Sequence, residues 1–458
     1  MKYTDKGVED IRIAYIGGGS RGWAWKLMSD LAAAEDISGE VTLYDIDYEA
    51  ALNNEVIGNR FNDAKGAKSS WTYRATKTIG EALTGANFVV ISILPGTFDE
   101  MENDVHTPEK YGIYQPVGDT SGPGGIIRAL RTIPMIEVIA KAIKEYSPDA
   151  WVINYTNPMA LCVKALYDTF PTIKAFGCCH EVFGTQNFIA KALSEELGIT
   201  VNSHREIKVN VVGVNHFTWL TEAKYRDIDA MKVYRDFALK YPEGVPMKNP
   251  ESMFECAQRV KIDLFLRYGA IAAAGDRHLS EFVDGSWYLD SPEHVRKWGF
   301  KLTPVSWRKE NLEERLERSR RLCSGEEEVK LEETGEDGID QIRALLGLCD
   351  FTTNVNLPNV GQIPNLPLGA IVETNAAFRD NSVTPVMAGN VPEGVWALVS
   401  RSVDSQLTVA KAARERDLEL AFRAFAQDPL VRIDLESSRK LFNEMIENTK
   451  EYLKEYFK

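Results

Sequence analysis

This sequence predicts an α/β fold whose first part alternates strands and helices and whose second part is mixed α+β. Three observations carry that prediction. Short apolar runs recur at residues 11–16, 41–44, 87–93, 151–153 and 173–176. The first run ends in Gly17-Gly18-Gly19-Ser20-Arg21-Gly22 and opens into an apolar-periodic stretch at 23–34, which reads as strand, tight turn and helix. From about residue 185 the alternation stops. Two domains are expected, 1–185 and 186–458.

The first strand, turn and helix form one unit. Gly17, Gly19 and Gly22 fit G-x-G-x-x-G, whose glycines allow a tight turn, close backbone approach to a pyrophosphate and helix packing, while the helix N-terminus attracts the phosphates. The 41–44 strand ends in Asp45-Ile46-Asp47. Asp45 lies 23 residues past Gly22, where an acid accepts hydrogen bonds from adenosine ribose hydroxyls and repels a 2′-phosphate. A dinucleotide, NAD rather than NADP, is therefore expected on Gly17, Gly18, Gly19, Ser20 and Asp45. The 87–93 strand breaks at Leu94-Pro95-Gly96, letting the chain pass over the nicotinamide side, so Pro95 joins the expected cofactor contacts. Residues 1–185 thus read as a Rossmann-like, NAD-binding domain.

Residues 117–125 form a glycine- and proline-rich loop feeding a helix expected to begin near 126, with Arg128 and Arg131 in its first turns. The 151–153 strand delivers Asn154-Tyr155-Thr156-Asn157-Pro158, and the 173–176 strand delivers Gly177-Cys178-Cys179-His180-Glu181-Val182. Strand ends in open α/β sheets are where ligands bind, and a thiol, an imidazole and a carboxylate crowded there read as a metal or catalytic site.

The second domain, catalytic and oligomer-forming, is expected to hold a helix through 197 and a strand at 206–214. Further helices are expected at 228–241, 253–273 and 295–321, then a solvated charged helix and loop at 313–336, a proline-rich irregular segment at 359–368 and a strand at 369–374. The last helices are expected at 392–425 and 435–456. Two of its stretches carry chemistry: Gly213-Val214-Asn215-His216, and Gly275-Asp276-Arg277-His278 with Glu281 after it. A Cys and a His at two strand ends, Cys179 and His216, make a two-ligand metal site with open positions for substrate oxygens. Mixed S, N and O donors suit a borderline divalent ion such as Mn2+. Each residue also has a bland alternative: free Cys is usually buried and inert, helix-borne Arg is usually solvated, and a single His after an apolar strand is more often structural.

Composition narrows the partners. With 458 residues, 44% hydrophobic and 26% charged, the chain is an ordinary globular protein, and its net charge of −14, from 53 Lys+Arg and 67 Asp+Glu, disfavours nucleic acid and anionic membrane. That charge says nothing against a small anionic substrate. The six cysteines are scattered without a secreted-scaffold spacing, residues 1–10 carry no apolar leader, and no apolar run is long enough to span a bilayer, so a cytoplasmic protein with reduced thiols is expected. The apolar helices of the second domain make a homodimer or homotetramer reasonable.

In combination these motifs resemble the NAD- and divalent-metal-dependent glycosidases of glycoside hydrolase family 4. The likeness rests on the Gly17-Gly18-Gly19-Ser20 turn, residues 119–131 with Ser121-Gly122-Pro123-Gly124-Gly125, residues 154–158, Cys179-His180 and residues 213–216, and it spans nearly the whole chain. It implies a first domain of lactate/malate dehydrogenase type and an unusual hydrolysis outside the two-carboxylate scheme. NAD+ oxidises the sugar C3 hydroxyl, a base removes the acidified C2 proton, the metal stabilises the enediolate, the C1 oxygen leaves, water adds and hydride returns. The resemblance makes Cys179 and His216 metal ligands, puts Asn157 on the sugar hydroxyls with Asp119, Arg128 and Arg277 near the substrate, and places His180 at the leaving oxygen as acid. The base is expected at Asp276, with His278 second.

Cys179-His180-Glu181-Val182 resembles the subgroup acting on α-galacturonides, which points to a pectin-derived uronide oligosaccharide. An α-glucuronide, α-galactoside or α-glucoside is the alternative sugar. A reading of another class is a plain NAD-dependent hydroxy-acid dehydrogenase, which needs no metal and makes one NADH per substrate.

Overall fold

A computed structural model describes residues 1–332 and 334–458; residue 333, inside the charged stretch expected at 313–336, lies outside the described residues. Its larger sheet has ten strands. Six of them are parallel, Trp71–Thr76, Ile37–Tyr44, Gly7–Ile16, Phe88–Ile91, Trp151–Asn154 and Lys174–Gly177 in spatial order. Numbered along the chain this is 3-2-1-4-5-6, the order of two mononucleotide-binding halves whose crevice opens between the first and fourth strands. The predicted Rossmann-like fold is present. Its central strands are covered on both faces, so they read as unbroken apolar runs: all four residues of Phe88–Ile91 are buried, Val89 and Ile91 in one core, Phe88 and Val90 in the other.

Beyond Lys174–Gly177 the sheet continues antiparallel with Phe351–Pro358, Ile371–Arg379 and Ser382–Pro385. The C-terminal half therefore returns to the first sheet, which crosses the boundary expected at 185. A second, four-stranded antiparallel sheet carries Ile207–Val214, Phe217–Tyr225, Ile228–Asp229 and Ile271–Ala272. Mixed α+β is thus the character of the second half.

Several elements differ from the sequence reading for local reasons. The buried helix under the first sheet starts at Gly122 and runs to Tyr146, not from 126. Gly124 and Gly125 lie inside its first turns because a Cβ on Gly124 would meet Asp104 O at 2.7 Å and one on Gly125 would crowd the Thr120 carbonyl carbon. The glycines that read as loop are a close helix approach. The stretch expected as one helix at 253–273 is the Arg259–Tyr268 helix and a short strand, and the one at 295–321 is the end of the Pro292–Lys297 helix, a non-helical link and the Val305–Ser324 helix that starts after Pro304.

The topology gathers the functional segments. Residues 17–20, 92–96, 155–157 and 178–181 all follow parallel strands, so they share the carboxyl edge of the sheet. The second sheet brings the hairpin tip Asn215-His216, and the segment after Ile271–Ala272 brings residues 275–281.

Candidate active site

The cofactor crevice is built by the first strand and its neighbours. Gly17 has φ +93°, and a Cβ there would collide with the Ser92 carbonyl across the crevice, so only glycine lets the two strand ends meet. The Gly17 and Gly18 N–H groups donate to Tyr44 O at 2.9 Å each, and Gly19 N–H donates to Asp45 Oδ2 at 2.9 Å. Buried Asn54 donates to Gly18 O at 2.7 Å and Ser20 O at 3.0 Å and accepts from the Trp25 indole at 2.8 Å. The turn is thereby fixed before any ligand arrives. The Trp23–Ala33 helix that follows has no side-chain cap at Gly22, and a Cβ on Gly22 would lie 3.1 Å from Arg315 Nη1. An uncapped helix start beside an arginine is a ready anion site, so the residues fit a dinucleotide pyrophosphate. Asp45 ends the second strand as expected, its carboxyl raised by burial and opposed by the Asp47 and Gly19 N–H groups. Pro95 is held through its carbonyl, which accepts from Arg131 Nε at 2.9 Å.

Arg131 itself is committed. It is 1% exposed, and its guanidinium pairs with Asp104, also buried, through two bonds, one at 3.0 Å. Arg128 is 5% exposed and donates from Nε to Asn157 O at 3.2 Å, which seats the Asn157 loop on the Gly122–Tyr146 helix.

The catalytic corner forms where the loop at 117–121 meets the hairpin tip. Asp119, His216 and His278 each offer a ligand atom, all within 4.8 Å of one another. His216 sits in the two-residue turn between paired Val214 and Phe217 with φ +63°, a left-handed conformation uncommon for a non-glycine residue. The hydroxyl of Thr120 donates to Asp119 Oδ1 at 2.7 Å and lies 2.9 Å from His216 Nδ1. Thr120 has one proton, so Nδ1–H must donate to it and His216 Nε2 is left with its lone pair. Burial, then the neighbouring His278, push the imidazole down to about 3 against the pull of Asp119, so it is neutral. A neutral imidazole with a free Nε2 is the form that binds a cation. Burial would raise Asp119, but His278, Arg128 and the Thr120 hydrogen bond outweigh it and hold the carboxyl well below its usual range. Asn157 Nδ2 donates to Asp119 Oδ2 at 3.2 Å, and its buried Oδ1 has no partner among the described residues. A carboxylate, two imidazoles and an orphaned amide oxygen fit a divalent ion and a hydroxyl-bearing ligand.

Cys179, expected beside His216 as a ligand, is not among the three converging groups. Its thiol meets the Asn215 side chain, and burial with Glu373 and Glu181 nearby pushes it far up. A cation is what would make it a thiolate here. Glu181 accepts from Gly275 N–H at 2.6 Å and lies 3.8 Å from His278 Nε2. Burial raises its carboxyl, but His278, His180 and the Gly275 N–H more than offset that and leave it at about 2. His180 is at the rim, its side chain 51% exposed, 3.5 Å from Glu336 and 6.0 Å from the Trp23 ring.

Asp276, the expected base, is 0% exposed and caps a helix: Lys261 N–H donates to its Oδ1 at 3.1 Å at the start of Arg259–Tyr268. Burial pushes it up to about 6 against Lys261 and those helix N–H groups. Its neighbour Arg277 donates to Pro116 O at 2.7 Å and to the Thr303 hydroxyl. The sequence reading placed Asn215 and Glu281 in its chemistry-bearing stretches and Thr120 in the glycine-rich loop, but gave none of the three a role in the corner. Glu281 accepts from the N–H groups of Val117 at 2.7 Å and Gly118 at 3.0 Å, and burial pushes its carboxyl up to about 8. An acid three residues past His278 was the available signal.

Residues 12–195 match the family described as Family 4 glycosyl hydrolase, and residues 211–431 match its C-terminal domain. An alpha-galacturonidase of Thermoanaerobacterium saccharolyticum is 63% identical over 458 residues, 99% of this chain and 98% of that one. The crystal structure of lplD from Bacillus subtilis has TM-score 0.92 and 51% identity over 96% of this chain and 100% of that one. A 6-phospho-beta glucosidase of Thermotoga maritima, solved with manganese, NAD+ and glucose-6-phosphate, has TM-score 0.77 at 21% identity over 96% of this chain and 99% of that one, which speaks for the fold alone. No described helix is long and apolar enough to cross a membrane.

Proposed function

This chain belongs to the family 4 glycosyl hydrolases, and from that premise we propose that it hydrolyses α-galacturonides with the help of NAD and a divalent metal ion, Mn2+ being the best suited. The sugar is supported by the 63% identity to an alpha-galacturonidase over nearly both full lengths. The chemistry is supported by one observation above the rest, the convergence of Asp119, His216 and His278 beside the unpartnered Asn157 Oδ1.

When bound, the nicotinamide accepts and returns a sugar hydride and the divalent ion stabilises negative charge on sugar oxygens. The chain's residues do the rest. Residues 17–20 and Asp45 hold the cofactor's pyrophosphate and ribose end, with Arg315 close by at Gly22. Asp119 and His216 Nε2 would hold the ion, and Cys179 would join them once its proton is lost. Asn157 Oδ1 takes a sugar hydroxyl, exchanging an unmet acceptor for a hydrogen bond. His278 lies within the same group, its Nε2 3.8 Å from the Glu181 carboxylate, and is assigned to take the C2 proton. His180, at the solvent rim, is placed to protonate the leaving oxygen.

The test is an aryl α-galacturonide given with NAD+, Mn2+ and a thiol reductant. The expected result is release of the aryl alcohol with no lasting nicotinamide absorbance, and loss of turnover on removal of either NAD+ or metal. One NADH per substrate, or full rate in enzyme shown to hold neither cofactor, would overturn the reading.

A further inference from the structure

A uronide differs from the matching hexoside only by its C6 carboxylate, and four arginines stand around the corner. Three are tied up. Arg131 is paired with Asp104, Arg128 spends Nε on Asn157 O, and Arg277 spends Nη2 on Pro116 O and the Thr303 hydroxyl. Each also fixes backbone, so turning it toward a ligand would dismantle a loop.

Arg308 is different. It is partly buried on the first turn of the Val305–Ser324 helix and, among the described residues, makes no hydrogen bond and no ion pair. Its place is set by what surrounds it. Val305 packs with Met101 and Val105 and donates its N–H to His106 Nε2 at 3.0 Å, while Lys309 pairs with Asp99 at 2.6 Å and Glu102 at 2.5 Å. These contacts lock the helix start onto the Phe98–His106 helix through the neighbours of Arg308. On the other side, the Arg277 guanidinium lies 5.2 Å over the Phe254 ring, and Phe254 packs edge-on against Trp307 at 5.2 Å. The segment 303–308 therefore wraps the residue that adjoins His278. The charge of Arg308 bears on Arg277 and is itself pushed below its ordinary value by burial and Arg315 against the pull of Asp119.

Arg315 lies two turns further on the same helix face, about 10 Å along the axis, beside the glycine turn. The helix thus presents one arginine to the cofactor turn and one to the sugar corner. Building on the α-galacturonide reading above, we propose that Arg308 is the specificity residue that binds the substrate's C6 carboxylate. An arginine with its planar fork wholly uncommitted matches a carboxylate bidentately, whereas the other three already spend N–H groups on backbone carbonyls and would have to release them to turn.

The experiment measures kcat/KM for aryl α-galacturonide and aryl α-galactoside in wild type, Arg308→Gln and Arg308→Lys, with the NAD+ requirement of each. Wild type is expected to favour the galacturonide. In Arg308→Gln the uronide-to-galactoside ratio is expected to fall about 30- to 1000-fold, as for loss of a buried charge-assisted pair. Arg308→Lys, which keeps the charge and loses the fork, is expected to fall between, and serves alone if the Gln variant does not fold. A wild type without uronide preference would overturn the α-galacturonide reading and this assignment with it. A wild-type preference that survives within threefold in both variants would overturn Arg308 alone. So would an unchanged ratio with a raised NAD+ requirement, which would assign the residue to the cofactor.

Discussion

The cofactor turn and the catalytic corner share one sheet edge but are made in opposite ways. The turn is contiguous: strand, glycines, helix, strand and Asp45 follow one another within residues 17–45, and its hydrogen bonds run to Tyr44, Asp45 and, on the next helix, Asn54. The corner is collected from five segments, around residues 119, 157, 180, 216 and 278, and it exists only because two sheets meet. Its parts are also interdependent. Thr120 sets the tautomer of His216, and Glu181 sets the charge next to His278. A contiguous motif tolerates error elsewhere in the fold, whereas an assembled one fails when any of its supports shifts.

The largest effect is expected in the corner and separates two residues that are two apart in sequence. His278→Gln should lower kcat by on the order of 10²–10⁴, the range for loss of a positioned base, and should stop exchange of the sugar C2 hydrogen with deuterated solvent. Calorimetric Mn2+ binding should survive, because Asp119 and His216 remain; if binding is lost instead, His278 is a ligand and not the base. Asp276→Asn should keep the exchange and lower thermal stability by about 0.5–2 kcal/mol, as for a weakened helix cap. Exchange abolished in Asp276→Asn and retained in His278→Gln would reverse the roles.

What could be read in the sequence follows the same division. The parallel strands were legible because burial on both faces leaves unbroken apolar runs, and the glycine turn was legible because its glycines and acid stand at a fixed spacing. Phe351–Pro358 was not legible, although it lies in the middle of the sheet. One face carries buried Asn354 and Asn356, which bond Glu373 and Gly177 O, and the other carries Thr353, bonded to Asp337, beside Val355 and Leu357, so polar residues interrupt the buried run that would have marked a strand. The corner was legible only as fragments. Motif likeness singled out Asp119, Asn157, Cys179 and His216, but no spacing could show that Thr120 links Asp119 to His216, or that Asp276 would turn to a helix end while His278 meets Glu181.

A smaller effect is expected at the contiguous motif. Asp45→Ala should raise the NAD+ concentration for half-maximal rate about 10- to 100-fold, the size of a hydrogen bond to a charged group, and leave kcat at saturating NAD+ within about threefold. The contact is made equally before and during the reaction, so it changes binding and not turnover. Asp45 also accepts from Gly19 and Asp47, so a fall in kcat at saturation would mean that the turn's shape reaches the corner and that the two regions are less separate than described.

The smallest effect concerns Glu281, which supports the loop carrying Asp119. Its carboxyl is pushed up to about 8 by burial, against the Val117 and Gly118 N–H groups and with Asp119 adding to the rise. At pH 7 it is mainly neutral, so Gln copies it in shape, charge and acceptor oxygen, and Glu281→Gln should keep kcat/KM within about threefold of wild type. The sign of the pH effect follows from where the proton sits. An unfolded Glu releases its proton near pH 4.3 while the folded one keeps it to about 8, so between those values the native state binds more protons and wild type loses stability as pH rises. That loss has a limiting slope of about 1.4 kcal/mol per pH unit and ends above pH 8. Gln has no proton to lose, so the melting temperature of Glu281→Gln relative to wild type should climb from pH 5 to pH 8 and then level. A difference that stays flat across that window would show that Glu281 is ionised in the folded protein. The loop at 117–119 would then be held by a charge, and Glu281→Gln would weaken the corner as much as a change in the corner itself.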